Sequence, residues 1–367
     1  MVNKRFIKYI DYSLILAVTA IVFVGLFAIS SATGAYYSGD YSTARMQLMW
    51  FIAGFIAMII VISVDYKTIG NMAVYIYLFC LLMLVIVLLF GKEVNGSKSW
   101  LGVGGLGGQP SEFAKLGVVI MVAKVMSSYE DGIKNLKQFI TVLIYIGIPL
   151  VLILKQPDLG TALVFIAIAL GMFIIGGIDY KFMLTLIGAG AAAVPLAWKY
   201  VLEDYQKDRL LIFLDPYSDP MGNGFNVIQS MIAIGSGQIT GRGLYHGSQS
   251  QFNFVPEQYT DFIFSVVGEE LGFIVCASLI ALYAYIIFKS IRISLRSKDK
   301  FGMLMVIGII SMLGFQIFEN IGMTMGIMPI TGIPLPFMSY GGSSLFTNMI
   351  ALGLILNVGM RQHKIKF

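Results

Sequence analysis

Long apolar runs separated by short polar breaks dominate this chain. A helix that crosses a membrane needs about 20 predominantly apolar residues. Ten stretches qualify: 13–32, 47–64, 72–90, 112–128, 139–155, 159–178, 182–202, 261–289, 303–325 and 343–360. The pattern therefore predicts an all-α polytopic membrane protein of ten transmembrane helices, packed as one unit over 1–367. A large outer loop, 203–260, lies between spans seven and eight. The run Leu14–Ala32 is longer than a signal-peptide core of about 7–15 residues, so it reads as a retained first span. Span five stops at Gln156-Pro157, where proline ends a helix, and only Asp158 separates it from span six, which implies a tight hairpin.

Within 203–260, the segment Phe225–Gly235 carries apolar residues at 227, 231 and 234 and at 228 and 232. That is helical spacing, and it predicts a short amphipathic helix at the outer interface. The stretch Gly235–Gly243 is too rich in glycine for a regular helix and is expected to wrap a ligand closely. Between Met328 and Ser344, prolines and glycines forbid continuous helix. Irregular backbone at membrane depth survives only when it is buried in protein or lines a wet cavity.

Composition sharpens this picture. Of the 367 residues, 57% are hydrophobic and 12% charged, against about 25% charged in an average soluble domain. With a mean hydropathy of +0.83, a soluble globular protein, a disordered chain and a coiled coil are excluded. With the N-terminus inside, sixteen of the 25 Lys and Arg fall in inner loops and tails and nine outside. That distribution places both termini in the cytoplasm and accounts for the net charge of +5 without a nucleic-acid partner. Cys80 and Cys276 lie in apolar runs, and His246 and His363 are the only histidines, which argues against disulfides and zinc.

The acidic residues concentrate on the outer side. Glu112, Asp158, Asp261, Glu269 and Glu270 are embedded in apolar runs, where a charge costs roughly 2.5–3.5 kcal/mol at mid-helix. Such groups are expected to face a polar cavity, although a plain helix cap or local ion pair is the competing reading for Asp158 and for Glu112 with Lys115. Ser111 is expected to cap the fourth span. Gly102–Gly107 spells GxGxxG but follows a membrane span instead of a strand, so a dinucleotide site is rejected.

Five segments, in order, make the chain recognisable: QPSEFAK from Gln109, QPDLGTA from Gln156, DPYSDPMGNGFNVIQSMIAIGSG from Asp215, PEQYTDFIFSVVGEELG from Pro256 and PITGIPLPFMSYGGSS from Pro329. The chain resembles the SEDS family (shape, elongation, division and sporulation) nearly end to end, and most closely its rod-shape branch, RodA. It departs from the family at Ser99, before Trp100, where members often place Arg. The resemblance implies a peptidoglycan glycosyltransferase. Its substrate would be lipid II, polymerised into β-1,4 glycan on the outer face of the bacterial cytoplasmic membrane during elongation. A class B penicillin-binding protein is the implied partner.

Asp261 matches the family's catalytic aspartate. It opens span eight at headgroup depth, where a carboxylate can take the proton of a sugar 4-hydroxyl. Arg45, Lys115 and Arg209 are outer-face cations for the pyrophosphate. Glu112, Asp158, Thr161, Thr260, Ser339, Ser343 and Ser344 are expected to bind substrate. Glu112 and Asp158 are also candidate ligands for a divalent cation, Mg2+ or Mn2+. Glu269 and Glu270, two turns deeper, suit a structural or cavity-lining role. The competing functions are a lipid II flippase, which would carry polar groups toward both leaflets, and a non-enzymatic scaffold of the wall-synthesis complex.

Overall fold

The computed structural model describes residues 9–94, 97–102, 107–200, 202, 204–222 and 224–362. Among the described residues, nine helices are long and apolar enough to cross a membrane: α1 (Tyr12–Ala32), α2 (Ser42–Ser63), α3 (Ala73–Phe90), α5 (Leu136–Leu154), α6 (Leu159–Gly176), α7 (Tyr180–Tyr200), α10 (Ile263–Leu295), α11 (Lys300–Thr324) and α12 (Gly342–Met360). A further helix of span length, α4 (Pro110–Ser127), carries Glu112, Lys115 and Lys124. Nearly all of α4 is buried, and it packs against α3, α5, α6, α11 and α12. The ten apolar stretches thus correspond to ten long helices, of which nine pass on apolarity alone. Helix α7 is the outlier, with none of its residues buried.

Small residues let the central helices approach. At Gly353 of α12, an added Cβ would sit 3.1 Å from the Met58 carbonyl oxygen of α2, and at Gly54 one would meet the Met349 side chain at 2.9 Å. Lipid is as apolar as the helix faces, so close van der Waals packing of this kind supplies the association.

Two departures from the predicted pattern are local. Lys92–Val94 (β1) and Ser97–Trp100 (β2) pair antiparallel, Val94 opposite Ser97, so the fold is mostly but not wholly helical. Ser97 donates to the Gln156 carbonyl at 2.7 Å and ties this hairpin to the α5–α6 turn. The loop 203–260 is also more ordered than its polarity suggests. It contains α8 (Asp204–Leu214), α9 (Gly224–Ser236) and the single turn Ser248–Gln251. Helix α9 exists as predicted but buries Val227, Ser230 and Ala233, the i, i+3 face of smaller residues, while Ile232 is exposed. Ser230 donates to the Thr324 carbonyl at 2.6 Å and shares a hydrogen bond with Ser265. Helix α9 is therefore held against α10 and α11.

Helix α10 is broken at Gly272, whose φ of 71° and ψ of −174° are non-helical. The glycine-rich segment 235–243 fills the break. Arg242 and Gly243 donate their amides to the Glu269 and Glu270 carbonyls at 3.0 Å, and the Phe273 and Ile274 amides donate to Gln238 and Ile239 at 2.9 and 3.2 Å. These bonds satisfy the backbone groups that the break frees, as membrane-depth backbone requires. The segment expected to wrap a ligand wraps this helix instead.

We expect Gly272→Ala to lower the unfolding temperature of the purified protein, because the site combines a strained φ worth about 1–3 kcal/mol with the Ile239 carbonyl oxygen 2.7 Å from the new Cβ. The control is Gly147→Ala, whose new Cβ has no neighbour within 4 Å. Equal unfolding temperatures for both variants and wild type would contradict this reading of the break.

Candidate active site

The predicted site residues fall into two groups at one end of the bundle. The first surrounds the start of α4. Gln109 precedes the helix, and Pro110 opens it, where a missing N–H is harmless. Lys115 donates to Glu112 at 2.7 Å, one turn earlier on the same face. The pair is the local one that the spacing allows, and it is buried, with side-chain exposures of 1% and 4%. The second Glu112 oxygen has no hydrogen-bond partner. Ser111 does not cap the helix; its hydroxyl is buried and unbonded. Asp158 caps α6, accepting from the Thr161 amide at 3.0 Å and the Thr161 hydroxyl at 2.8 Å. Gln109 donates to the same carboxylate at 3.2 Å, and its amide donates to Ser343 Oγ at 3.2 Å. Charges on Lys115 and Glu112 both act on Asp158. Glu112, Lys115, Asp158, Thr161 and Ser343 are thus one cluster.

The second group surrounds the start of α10. Glu257 adopts φ 50°, and its carbonyl accepts the amides of Thr260, Asp261 and Phe262 at 3.2, 3.1 and 3.2 Å. This knuckle presents Asp261 two residues before the helix. Thr260 donates to the Glu257 carboxylate at 3.1 Å. Burial pushes the Asp261 carboxyl up to about 7; the Glu257 carboxylate adds to the rise and Arg209 of α8 opposes it. Among the described residues, no hydrogen bond to the Asp261 carboxylate offsets its desolvation.

The irregular segment 328–341 joins the two groups. A Cβ on Gly160 of α6 would lie 2.6 Å from the Thr331 carbonyl oxygen, and one on Gly332 would lie 3.4 Å from Asp261 Oδ2. Asn320 of α11 donates at 2.8 Å to both the Asp261 and Ile333 carbonyls, fixing the aspartate's backbone and the segment together. Thr331 donates to the neighbouring Glu319. Gln47 donates to the Ser339 carbonyl at 2.9 Å and accepts from Gly341 at 3.2 Å, clamping the other end of the segment.

The remaining candidates have the following partners. Ser339 Oγ accepts from the Leu335 amide at 2.8 Å, and Ser344 accepts from Asn348 at 3.3 Å. Arg45 is exposed near the start of α2, where its charge acts on Asp40. Lys98 is exposed on β2, and Ser99 beside it is buried. Asn95 and Gly96 lie outside the described residues. Glu269 accepts from the Gln249 and Ser250 amides at 2.7 and 2.9 Å and Glu270 from the Gly247 amide at 3.4 Å, so both hold the loop 247–251 to α10, and Glu270 also accepts from Ser31 of α1 at 2.6 Å.

Glu112 and Asp158, the candidate ligands for a divalent cation, share their cluster with a lysine. Lys115 already supplies the positive charge beside them, and both Asp158 oxygens are engaged. Among the described residues no group of three or more His, Cys, Asp or Glu could hold a metal.

Sequence reasoning passed over Gln47, Gln109, Glu257 and Asn320 as positioning groups. Gln47 opens the second apolar run, and Asn320 follows Glu319 inside the ninth. Glu257 and Gln109 sat unremarked inside the motifs.

Fold and site together define a polytopic membrane protein with a desolvated carboxylate and a nearby guanidinium at one end of its bundle. The chain matches the FtsW, RodA and SpoVE family, described as "Cell cycle protein", over residues 11–364. It belongs to that family. It is 35% identical to peptidoglycan glycosyltransferase MrdB of Escherichia coli over 350 residues, covering 95% of this chain and 93% of the relative. Its fold is similar to a chain in a solved structure described as "Structural coordination of polymerization and crosslinking by a peptidoglycan synthase complex", with a TM-score of 0.81, 32% identity, and 97% and 99% of the two chains covered. The rod shape determining protein RodA of Thermus thermophilus is also similar, with a TM-score of 0.72, 27% identity, and coverage of 97% and 98%.

The buried pair sets a stability test. Removing one partner of a buried ion pair typically costs about 3–5 kcal/mol, because the other is left uncompensated. We expect Glu112→Gln and Lys115→Met each to destabilise the purified protein by that order, and the double variant to recover most of the loss. Single losses below about 1 kcal/mol, as for a solvent-screened pair, would contradict the burial.

Proposed function

We propose that this chain is a peptidoglycan glycosyltransferase that polymerises lipid II into β-1,4 glycan. The observation that carries the proposal is Asp261, held at the head of a span with its carboxyl pushed up to about 7, in a chain of the FtsW, RodA and SpoVE family. A general base works best when its pKa lies near the operating pH. Asp261 takes the proton from the acceptor 4-hydroxyl. The freed oxygen bonds the donor anomeric carbon, the bond from that carbon to the pyrophosphate oxygen breaks, and undecaprenyl pyrophosphate leaves as an anion. Arg209, whose charge already reaches Asp261, faces the developing negative charge. The lipid tail pins the pyrophosphate at headgroup depth, which is why the base stands at a helix start instead of mid-span.

The cluster of Glu112, Lys115, Asp158 and Gln109 forms the opposite wall and orients the substrate, with Lys115 as its cation. In this scheme the chain crosses the membrane ten times, α4 included. Both termini and the loop 290–302 are cytoplasmic, and the loop 203–260 is outside, following the excess of Lys and Arg in the inner set. The likeness to a chain of a peptidoglycan synthase complex supports a class B penicillin-binding protein as the transpeptidase partner.

The proposal is tested with purified, monodisperse Asp261→Asn. Asparagine keeps the size but cannot take a proton. General-base catalysis supplies about 10²–10⁴-fold, so polymer from lipid II should fall by that factor on a gel while the protein stays folded. Long glycan at the wild-type rate would remove the base assignment. For topology, a cysteine placed at Lys298 is expected to resist a membrane-impermeant label in intact cells, and labelling there would invert the orientation.

A further inference from the structure

Beside the knuckle that carries Asp261, a cavity of about 450 Å³ opens between the end of α1, the start of α2 and the turn 251–259. Sites for small molecules usually enclose about 300–1,000 Å³. Its walls are mostly uncharged hydrogen-bonding side chains: Thr33, Thr43, Gln251, Asn253, Gln258 and Tyr259. Ala32, Val255 and Pro256 add apolar patches, and Glu257 is the one charged residue lining it.

That chemistry selects the ligand. A pyrophosphate or a carboxylate-bearing peptide would meet the Glu257 charge with no lysine or arginine in the lining to offset it. A neutral ligand rich in hydroxyl and amide groups meets side chains that both donate and accept, and the apolar patches suit an acetyl methyl. The walls are also fixed in advance. Gln258 donates to the Ala32 carbonyl at 2.7 Å and to Asn253 at 2.8 Å, and Gln251 donates to Ser31 Oγ at 2.9 Å. Asn253 and Glu257, neither of them glycine, hold φ of 55° and 50°. Backbone strain of this kind gathers at ligand clamps and active sites. Glu257 ties the cavity to the backbone of Asp261, since it lines the one and its carbonyl accepts the Asp261 amide at 3.1 Å.

We propose that this cavity is a saccharide subsite, which holds a neutral N-acetylated hexosamine of the glycan adjacent to the sugar at Asp261. The inference rests on the polymerase reading of Asp261. A sugar gripped here keeps the strand on the protein between additions, so the cavity governs product length as well as binding.

The test uses the full purified chain and a neutral probe, the β-1,4-linked tetramer of N-acetylglucosamine, with binding read by titration calorimetry. The tetramer is expected to bind wild type and Asp261→Asn with similar affinity. Thr43→Phe, which places a ring in the cavity, should weaken binding at least about tenfold through steric clash. Asn253→Gly accepts the same φ without strain but deletes one hydrogen-bonding amide, for a loss of about 3–10-fold. Glycan made from lipid II by Asn253→Gly should be shorter than wild-type glycan. Equal affinity in all four proteins would overturn the subsite. So would a wild type that polymerises lipid II yet binds no tetramer. A wild type that binds the tetramer in a Thr43-dependent way but makes no polymer would leave the saccharide site standing and remove the polymerase reading.

Discussion

The cost of taking charge out of water organises the working end of this molecule. A chain that is 12% charged and 57% hydrophobic has few ionised groups to spare for its interior. Those it buries are matched in different ways. Glu112 is matched by Lys115 at 2.7 Å. Glu269 is matched by backbone amides and by Ser250, whose hydroxyl donates to it at 2.5 Å. Asp158 is matched by the first turn of its own helix and by Gln109. At Asp261, burial and the neighbouring Glu257 act against the charge and the Arg209 guanidinium favours it, while Glu319 nearby also keeps one buried oxygen without a hydrogen-bond partner. A carboxylate whose surroundings oppose its charge marks a candidate functional site.

Holding such a group in place needs rigid backbone, and the irregular segments supply it. The segment 328–341 could not be helical, given its prolines and glycines. The structure ties it down through side-chain amides: Asn320 at one end and Gln47 at the other. The break at Gly272 frees α10 backbone groups, and 235–243 pairs with them across positions where only glycine fits closely. Helix α10 can therefore present a rigid first turn beside Asp261 while the rest of it continues to Leu295.

Much of this was legible in the sequence because its cause is local. Apolar run length gave the ten long helices, and the Asp158-to-Thr161 spacing gave the cap of α6. The motifs drew attention to Asp261, Glu112 and Lys115, which lie at the starts of α10 and α4. Long-range pairing was the part that escaped. The small hairpin was passed over although Asn95-Gly96, which stands between its two short polar strands in the sequence, is a hairpin-turn signal. The burial of Glu112 and Lys115 follows from five helices closing round α4, which no spacing within α4 reveals. The buried face of α9 follows from its partners α10 and α11, so its own apolar residues misled. For 235–243, glycine content signalled close approach correctly, but the approaching object is a helix break.

The most direct measurement is the rate of lipid II polymerisation as a function of pH. Only the ionised Asp261 can accept the hydroxyl proton, so the rate should climb as pH rises through about 7 and level off above it. Below the midpoint it should fall about tenfold per pH unit. Glu257→Gln removes the like charge and should move the midpoint down, because that carboxylate is one of the two causes of the rise. A rate that is flat across this window in wild type, or a midpoint unmoved by Glu257→Gln, would contradict a desolvated Asp261 acting as the base.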